Sequence, residues 1–367
     1  MGQTRIIFVG GFLGAGKTTL LWRAAELLAK RGRRVGLITN DQAPDLVDTK
    51  LLVEKGLTVR EVAGSCFCCN FNGLIDAAQG LQSLDADVLI GEPVGSCTDL
   101  SATILQPLKD RFKGEFKLSP LSVLADPQRL LGVLDGDGDS LHASAAYVFC
   151  KQLEEADLLV VNKIDAVSPA ERRRLERLIA KRFPQAVVRF LSARTGEGVE
   201  SWLDEVLSSD RAGSRIPDVD YDVYAEGEAV LGWLNADIQL SAGTEKVEWD
   251  AVCRDLLNEL HARFRERHAR IGHVKLLLTA AGGQCSGNLT DLACEPVVQG
   301  RIDGSPDQAD LIVNARVEMP PEDLECVVRE SLARVAGRCV RIEISNLRCL
   351  RPGRPQPTHR YRTVVKI

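Results

Sequence analysis

Short apolar runs alternate with helix-patterned stretches through the first part of the chain. Arg5–Val9 is a β-rich run, and Lys17–Lys30 has the pattern of a helix closed by Gly32. Further predicted strands, most of them short and apolar like buried parallel strands, are Arg34–Thr39, Val88–Ile90, Leu121–Ala125, Leu158–Val161 and Val187–Leu191. This alternation predicts an α/β domain with a doubly wound, mostly parallel sheet over residues 1–210.

One helix start is specified in unusual detail. Ser168 and Glu171 have the spacing of a capping box, and Pro169 falls at the first helical position. The apolar residues that follow mark one helix face: Leu175, Leu178, Ile179 and Phe183. A helix is therefore expected immediately after Ser168.

The order of elements changes after residues 211–225, which have the composition of a linker. Strands are predicted at Val230–Leu240, Val274–Leu278, Pro296–Ile302, Ala309–Val317 and Val340–Ser345. Helices are predicted at Trp249–Arg267 and Glu322–Ala336. This βαβ…βαβ order predicts a smaller α+β domain over residues 226–367, ferredoxin-like with an added strand.

Composition narrows the class of protein. Hydrophobic residues make up 45% and charged residues 26%, which predicts a packed globular core. The net charge of −5 gives no support for nucleic-acid or membrane binding. Eleven cysteines without a secretory signal indicate a reducing compartment, and no stretch is long and apolar enough to span a bilayer. A cytoplasmic protein is expected.

The segment Gly11–Thr18 matches the phosphate-binding pattern G-x-x-x-x-G-K-T between a predicted strand and a predicted helix. Backbone N–H groups of such a loop surround the phosphates, and the helix N-terminus adds partial positive charge. Lys17 is expected to contact the β- and γ-phosphates, and the Thr18 hydroxyl to bind Mg²⁺. The predicted phosphate-binding residues are Gly11, Gly14, Ala15, Gly16, Lys17, Thr18 and Thr19.

Guanine is the predicted base. Asn162, Lys163 and Asp165 form an N-K-x-D motif directly after a predicted strand. The Asp165 carboxylate can accept two hydrogen bonds from the guanine edge that adenine cannot supply. Ser192 and Ala193, after the next strand, resemble a loop whose backbone contacts the guanine oxygen. Together with the phosphate loop, these residues favour GTP over ATP.

An acidic residue lies at another predicted strand end. Glu92 stands three residues before Gly95, a spacing that suits a water-mediated Mg²⁺ contact and a γ-phosphate contact by the Gly95 N–H. Asp126 ends a further strand and is a second candidate for the magnesium site, although a helix N-cap before Pro127 explains it equally well.

Three thiols occupy a four-residue segment between the two halves of the nucleotide motifs. Cys66 and Cys68 face the same way in an extended segment, and Cys69 adds a third sulfur if the chain turns. Thiolates favour Zn²⁺ and other soft or borderline ions, and three sulfurs leave a fourth position for exchange. The alternative is buried structural cysteine. Cys97 can reach the same site, although core packing is the favoured interpretation.

As an ordered set, these motifs resemble the CobW/HypB/UreG family of GTPases, and most closely its CobW-like branch. The segments that carry the resemblance are 10–20, 66–69, 92–95 and 162–165, all within the first domain. The resemblance implies a slow GTPase that binds a transition metal, zinc or cobalt foremost, and delivers it to a client metalloprotein or a cofactor-assembly enzyme. It leaves both one-chain and two-chain metal sites open, so a homodimer is one expectation.

The resemblance also assigns roles to residues of this chain. It gives cysteine metal ligation to Cys66, Cys68 and Cys69, and it gives phosphate and magnesium roles to Lys17, Thr18 and Glu92. Lys17 and Glu92 are thus the expected catalytic residues. The chain departs from the CobW-like pattern at Ser65, where glycine is usual, and over Asn40–Pro44.

Two alternatives to a metal carrier remain open from the sequence. One is a regulatory GTPase whose cysteines are structural, and the other is a maturation factor for a corrinoid or other metalloenzyme. A basic, proline-rich tail over residues 347–367 is either a grip for an acidic partner or simple solvated charge.

Overall fold

We describe a computed structural model of the chain over residues 3–41, 47–136, 141–337 and 339–366. The residues form two compact units. The first comprises Met1–Gln42, Leu51–Gly227 and Arg354–Ile367, and the second comprises Ala43–Lys50 and Glu228–Gly353. Part of the Asn40–Pro44 departure lies outside the described residues.

The first unit is built on a parallel sheet. Its strands are β1 (Thr4–Gly11), β2 (Val35–Asn40), β3 (Thr58–Val62), β4 (Val88–Glu92), β5 (Phe116–Leu118), β6 (Ser122–Ala125), β7 (Leu158–Val161) and β8 (Val187–Phe190). The order is β3-β2-β4-β1-β6-β7-β8, and β5 pairs with the start of β1. Every pairing is parallel, so the carboxyl ends of these strands share one edge of the sheet.

Helices alternate with these strands along the chain, and two of them run into residues of the second unit. The helices are α1 (Lys17–Lys30), α2 (Val47–Glu54), α3 (Phe71–Gln82), α4 (Gln106–Arg111), α5 (Pro127–Asp135), α6 (Ala143–Glu155), α7 (Pro169–Arg182), α8 (Val199–Ser208) and α9 (Tyr221–Ala229). A π-helix (Ser101–Leu105) precedes α4, and a 3₁₀ turn (Ile164–Ala166) follows β7. The predicted capping box is present: Ser168 Oγ accepts the Glu171 N–H, and the Glu171 carboxylate accepts the Ser168 N–H.

Burial of α1 explains how the nucleotide loop is fixed. Its inward face consists of Leu20, Leu21, Ala24, Ala25 and Leu28, all fully buried. This stripe packs into the same core as β1, β4 and the buried Trp202 of α8. Because the stripe follows the helical period, it sets the rotation of α1 and therefore the direction of its N-terminus.

The second unit is an antiparallel sheet with two helices. Its strands are β9 (Gly232–Ala242), β10 (Ile271–Ala280), β11 (Gly283–Leu289), β12 (Val297–Ile302), β13 (Gln308–Val317) and β14 (Val340–Leu350). The order is β12-β11-β10-β13-β9-β14. Helices α10 (Trp249–Glu266) and α11 (Pro321–Ala336) contribute Trp249, Phe264 and Leu324 to its core.

The predicted fold class is confirmed. Four strands of the second unit, β10-β13-β9-β14, have the order of a ferredoxin-like sheet, and the hairpin β11–β12 extends one edge. The sequence analysis predicts one added strand, whereas the structure has two. It also assigns residues 354–367 to the second domain, whereas the structure groups them with the first unit. The predicted linker contains the start of α9.

Candidate functional site

The glycine loop after β1 turns directly into α1. Gly16 has a left-handed backbone (φ 92°), and a Cβ there would lie 2.4 Å from Nδ2 of Asn162, so only glycine fits. Lys17 folds back over the loop, with Nζ 2.9 Å from the carbonyl of Gly11 and 3.4 Å from that of Phe12. The first-turn N–H groups of α1 point toward the loop, which forms a cradle for anionic oxygens.

Asn162 joins the glycine loop to the loop after β8. Its Nδ2 donates to the Ala15 carbonyl at 2.8 Å, and its Oδ1 accepts the Ala193 N–H at 2.9 Å. The side chain is almost fully buried. The first residue of the N-K-x-D motif therefore braces the two loops against each other.

The Asp165 carboxylate has two partners in the next loop. The Ser192 hydroxyl donates to Oδ1, and the exposed Arg194 guanidinium donates to Oδ2. Burial acts to raise the pKa of Asp165, but these hydrogen bonds and the Arg194 charge lower it overall. Asp165 is therefore ionised at neutral pH and acts only as an acceptor.

Thr18 and Glu92 meet at the carboxyl edge of the sheet. The Thr18 hydroxyl lies 3.1 Å from both carboxylate oxygens of Glu92, and the Lys17 Nζ lies 4.0 Å from Oε1. Glu92 is buried at the end of β4. A hydroxyl beside a carboxylate is a hard oxygen donor pair of the type that suits Mg²⁺.

Asp126 has a different environment from Glu92. Its Oδ1 accepts the N–H groups of Gln128 and Arg129, and its Oδ2 pairs with Lys163 at 2.7 Å. Asp126 is therefore the N-cap of α5, one of the two roles that the sequence allows, and its part in the magnesium site stays a prediction. Lys163 itself has a left-handed backbone (φ 59°) between β7 and the 3₁₀ turn.

The segment after β4 is clamped by a buried glutamine. Nε2 of Gln152, on α6, donates to the carbonyls of Gly95 at 3.0 Å and Cys97 at 2.8 Å. At Gly95 the chain passes close to the glycine loop, because an added Cβ would lie 2.8 Å from Leu13 Cδ2 and 3.1 Å from Lys17 Nζ. The sequence analysis did not single out Gln152, which belongs to none of the motifs.

The thiol loop follows β3 and leads into α3. Its turn is closed by the N–H groups of Cys69 and Asn70, which both donate to the Cys66 carbonyl. The turn brings the sulfurs together: Cys66–Cys68 is 3.1 Å, Cys66–Cys69 is 3.3 Å and Cys68–Cys69 is 3.8 Å. In a tetrahedral zinc site with Zn–S of about 2.3 Å, sulfurs are about 3.8 Å apart, so the cluster needs little expansion to hold such an ion.

The three thiols do not ionise alike. Hydrogen bonds with Cys68 and Cys69 hold the pKa of Cys66 well below its usual value. The same contacts with Cys66 raise the pKa of Cys68 well above its usual value and that of Cys69 to about 11. Cys66 is therefore the thiol that ionises most readily, and a cation must displace the protons of Cys68 and Cys69 to use all three sulfurs.

Cys97 lies beside this cluster. Its buried thiol is within hydrogen-bonding reach of Cys66 and Cys68. Since Cys97 is two residues from Gly95, one short segment adjoins both the glycine loop and the thiols. Cys97 is also buried among the core residues, so the structure agrees with both interpretations, and the part of Cys97 in the site stays a prediction.

Asn40, at the end of β2, fixes the thiol loop. Its Nδ2 donates to the carbonyls of Val62 at 2.7 Å and Ser65 at 2.8 Å, and its Oδ1 accepts the Phe67 N–H at 2.8 Å. Phe67 is fully buried and packs edge-on against Phe8 of β1. No sequence pattern marks this role of Asn40, since its partners are more than twenty residues away.

The structure therefore brings Lys17, Thr18, Glu92 and Gly95 together. At a second position it groups the N-K-x-D motif with the loop after β8. Thr19 is exposed on α1. The glycine loop, the acidic strand end and the braced N-K-x-D loop on a parallel sheet define the class of P-loop nucleotide-binding proteins.

The chain belongs to the CobW/HypB/UreG family, whose nucleotide-binding domain model matches residues 5–189, about half of the chain. Two curated relatives come from Escherichia coli (strain K12). The zinc chaperone YeiR is 30% identical over 187 residues, which is 48% of this chain and 51% of the relative. The zinc chaperone YjiA is 27% identical over 186 residues, which is 49% of this chain and 56% of the relative. The chain spans about half the length of the curated relatives it matches.

Two solved structures show lower similarity. Nickel-bound HypB from Helicobacter pylori is 18% identical and covers 57% of this chain and 87% of its own, with a TM-score of 0.41. Zn(II)-bound YjiA GTPase from E. coli is 16% identical and covers 91% of this chain and 99% of its own, with a TM-score of 0.35. Among the described residues, no helix has the length and apolar character needed to cross a membrane.

Proposed function

We propose that this protein is a GTP-hydrolysing metallochaperone. In this proposal it binds a transition-metal ion at Cys66, Cys68 and Cys69, and it transfers the ion to a client under control of the nucleotide. The observation that carries the proposal is the preassembled cluster: three sulfurs within 4.8 Å of one another, on a loop tied to the carboxyl edge of a P-loop sheet.

Lys17 and the backbone of residues 11–18 are proposed to hold the phosphates. The close approach of Gly95 to Lys17 supports a role for the Gly95 N–H at the γ-phosphate. Thr18 and Glu92 fit Mg²⁺, which when bound neutralises phosphate charge. Because no clear base for the attacking water is apparent in the motifs, slow turnover is expected.

Asp165 is proposed to read guanine, with Ser192 and Ala193 as its companions. Its ionised carboxylate can accept from the two N–H donors of guanine. Arg194 is exposed and occupies one carboxylate oxygen, so base binding has to displace that guanidinium. Ser192 can remain in place and orient the carboxylate.

Zinc is the first candidate for the cargo, since two relatives are named zinc chaperones and thiolates favour this ion. Cobalt is the second. Three sulfurs leave a fourth coordination position, and a client ligand can enter there. The client is proposed to be a metalloprotein or a cofactor-assembly enzyme, and a shared site in a homodimer is the two-chain form of the same proposal. Free thiols need a reducing compartment, for which the cytoplasm is proposed.

Coupling is proposed to pass along residues 92–97. This segment begins at the carboxylate beside Thr18, passes Lys17 at Gly95 and reaches the cluster at Cys97. A γ-phosphate that moves Gly95 also moves Cys97, which changes the surroundings of the clustered thiols. By linkage, the metal must then change the affinity for nucleotide by the same factor.

The decisive experiment is a competition titration of Zn²⁺ against a chelator, with reduced protein bound to a non-hydrolysable GTP analogue or to GDP. We expect the two nucleotides to give different zinc affinities. Cys66→Ser should abolish tight binding, whereas Cys326→Ser, which changes an exposed cysteine outside the cluster, serves as the matched control. Equal affinities would remove the coupling, and full binding by Cys66→Ser would remove the site.

The burial of Cys66 and Cys68, at 3% and 2% exposure, favours one alternative. In a regulatory GTPase with structural cysteines, Cys66→Ser lowers the free energy of unfolding but removes no stoichiometric metal. Chemical denaturation alongside metal analysis of the same variant separates the two functions.

A further inference from the structure

The segment after the second unit returns to the thiol loop. The N–H of Gln356 donates to the sulfur of Cys69 at 3.3 Å. Two residues on, the N–H of Thr358 donates to the Cys68 carbonyl at 2.8 Å, and its hydroxyl donates to the Cys69 carbonyl at 3.0 Å. Residues 354–366 lie outside the helices and strands, and we name them the return segment. They contact the cluster directly, and they belong to the first unit together with the thiol loop.

The return segment is held by an ion pair. Arg360 Nε donates to Oδ2 of Asp99 at 2.6 Å, and the Tyr221 hydroxyl donates to the same oxygen at 2.9 Å. The Asp99 side chain is completely buried. A buried carboxylate is costly unless a cation or donors compensate it, so the Arg360 pair strongly favours the docked position of the segment.

Further contacts surround this ion pair. The Tyr361 N–H donates to the Ala102 carbonyl at 3.0 Å, and the His359 ring packs edge-on against Phe71 with centroids 5.2 Å apart. Phe71 is the first residue of α3, directly after the thiol loop. The segment is therefore held on both sides of the cysteines.

The sulfur that the return segment contacts belongs to the most accessible cysteine of the cluster. Cys69 is the most exposed of the three clustered cysteines, whereas Cys66 and Cys68 are buried. A backbone N–H directed at a thiolate forms a charge-assisted hydrogen bond, which stabilises the anionic sulfur. Hydrogen-bond donors to metal ligands tune both the affinity and the solvent access of a site.

The Asp99 side of the ion pair is also close to the nucleotide segment in sequence. Asp99 stands two residues after Cys97 and four after Gly95, and Gln152 clamps the carbonyls of that stretch. A movement of Gly95 therefore affects the position of Asp99, the ion-pair partner of Arg360.

We propose that the return segment is part of the metal site. The Gln356 N–H stabilises the metal-bound Cys69 thiolate, and Arg360 is the positioning residue that holds the segment against the thiol loop. This rests on the proposed metal-binding function and deepens it. The segment slows release of the ion, and its displacement from Asp99 opens the exposed side of the site.

A matched pair of full-length variants isolates the hydrogen bond. Gln356→Pro removes the N–H, and Gln356→Ala keeps it while losing the same side chain. Gln356 already lies between Pro355 and Pro357, so a third proline continues an existing pattern. The probe is Co²⁺, whose sulfur-to-metal absorption reports thiolate bonding and whose removal by a chelator gives a release rate.

We expect Gln356→Pro to release Co²⁺ about tenfold faster than Gln356→Ala, with a shifted sulfur-to-cobalt band, as for other outer donors to metal ligands. Arg360→Gln should also accelerate release, Arg360→Lys should restore part of the retention, and exposed Arg362→Gln is the wild-type-like control. Thermal unfolding of each variant checks that it is folded.

The outcomes separate this proposal from the one on which it rests. If wild type takes up Co²⁺, Cys66→Ser does not, and the two Gln356 variants release it at the same rate, the role of the segment is overturned and the metal site stands. If Cys66→Ser takes up Co²⁺ as wild type does, the metal function itself is overturned.

Discussion

The Asn40 carboxamide accepts the backbone N–H of Phe67 at 2.8 Å, between the two cysteines that lie closest together. This single bond connects the end of β2 to the centre of the thiol loop. Phe67 is fully buried against Phe8, and the sulfurs of its neighbours Cys66 and Cys68 lie 3.1 Å apart. The loop is therefore held by an apolar contact and by the hydrogen bond to Asn40.

Asn40→Ala should loosen the cluster. It leaves the buried Phe67 N–H and two backbone carbonyls without these partners, at a cost of about 1–3 kcal/mol in the free energy of unfolding. We expect weaker zinc binding together with this loss. Urea denaturation and chelator competition measure the two effects. Asn40→Asp keeps the acceptor for Phe67 but sets a carboxylate oxygen against the carbonyls of Val62 and Ser65, so it should lose at least as much as Asn40→Ala. Wild-type-like behaviour of either variant would contradict the argument.

Zinc affinity should rise steeply with pH. The pKa of Cys68 is raised well above its usual value and that of Cys69 to about 11, so both thiols are protonated at neutral pH, whereas Cys66 has a lowered pKa. Binding must release about two protons, which gives about a hundredfold change in apparent affinity per pH unit.

Chelator competition over the neutral range measures that slope. Cys69→Ser removes one of the two protons and should reduce it to about tenfold per pH unit. A pH-independent affinity would show that the thiols do not ligate the ion.

Asp165→Ala should weaken GTP binding and spare the weak binding of ATP. It removes a charged acceptor for two donors, a loss of about 3 kcal/mol or about a hundredfold in affinity. Displacement of a fluorescent nucleotide by GTP and by ATP gives both values. A parallel loss for both nucleotides would mean that Asp165 does not select the base.

Gly95→Ala should impair the response to the γ-phosphate. The added Cβ would lie 2.8 Å from Leu13 Cδ2 and 3.1 Å from Lys17 Nζ, so the segment and the glycine loop must separate. We expect GTP affinity to fall more than GDP affinity, and hydrolysis to slow at least about tenfold. Single-turnover hydrolysis and nucleotide titration test this, and equal effects on both nucleotides would contradict it.

Features that depend on local sequence were predictable. The Ser168 capping box and the start of α1 at Lys17 are confirmed, because a cap or a glycine loop is specified by residues a few positions apart. The alternation of apolar runs and helical patterns predicts the doubly wound sheet and the ferredoxin-like sheet, and the structure confirms both. The roles of the nucleotide residues remain predictions, although the structure brings Thr18 and Glu92 within 3.1 Å of each other.

Features that depend on distant contacts were not predictable. Strand β11 has two glycines among its seven residues and no clear strand pattern. It forms because β10 and β12 pair with it on both sides. The roles of Asn40 and Gln152 require partners that only the fold supplies. The charge of Arg360 was visible in the sequence, but its buried partner Asp99 lies 261 residues away.

The separation of Cys69 and Gln356 by 287 positions also has a consequence for biosynthesis. At about 5–20 residues per second, a ribosome makes the cysteine turn many seconds before the segment that covers it. During that interval Cys69 lacks the N–H of Gln356. If the three sulfurs bind the proposed metal ion, its uptake does not have to wait for the end of translation.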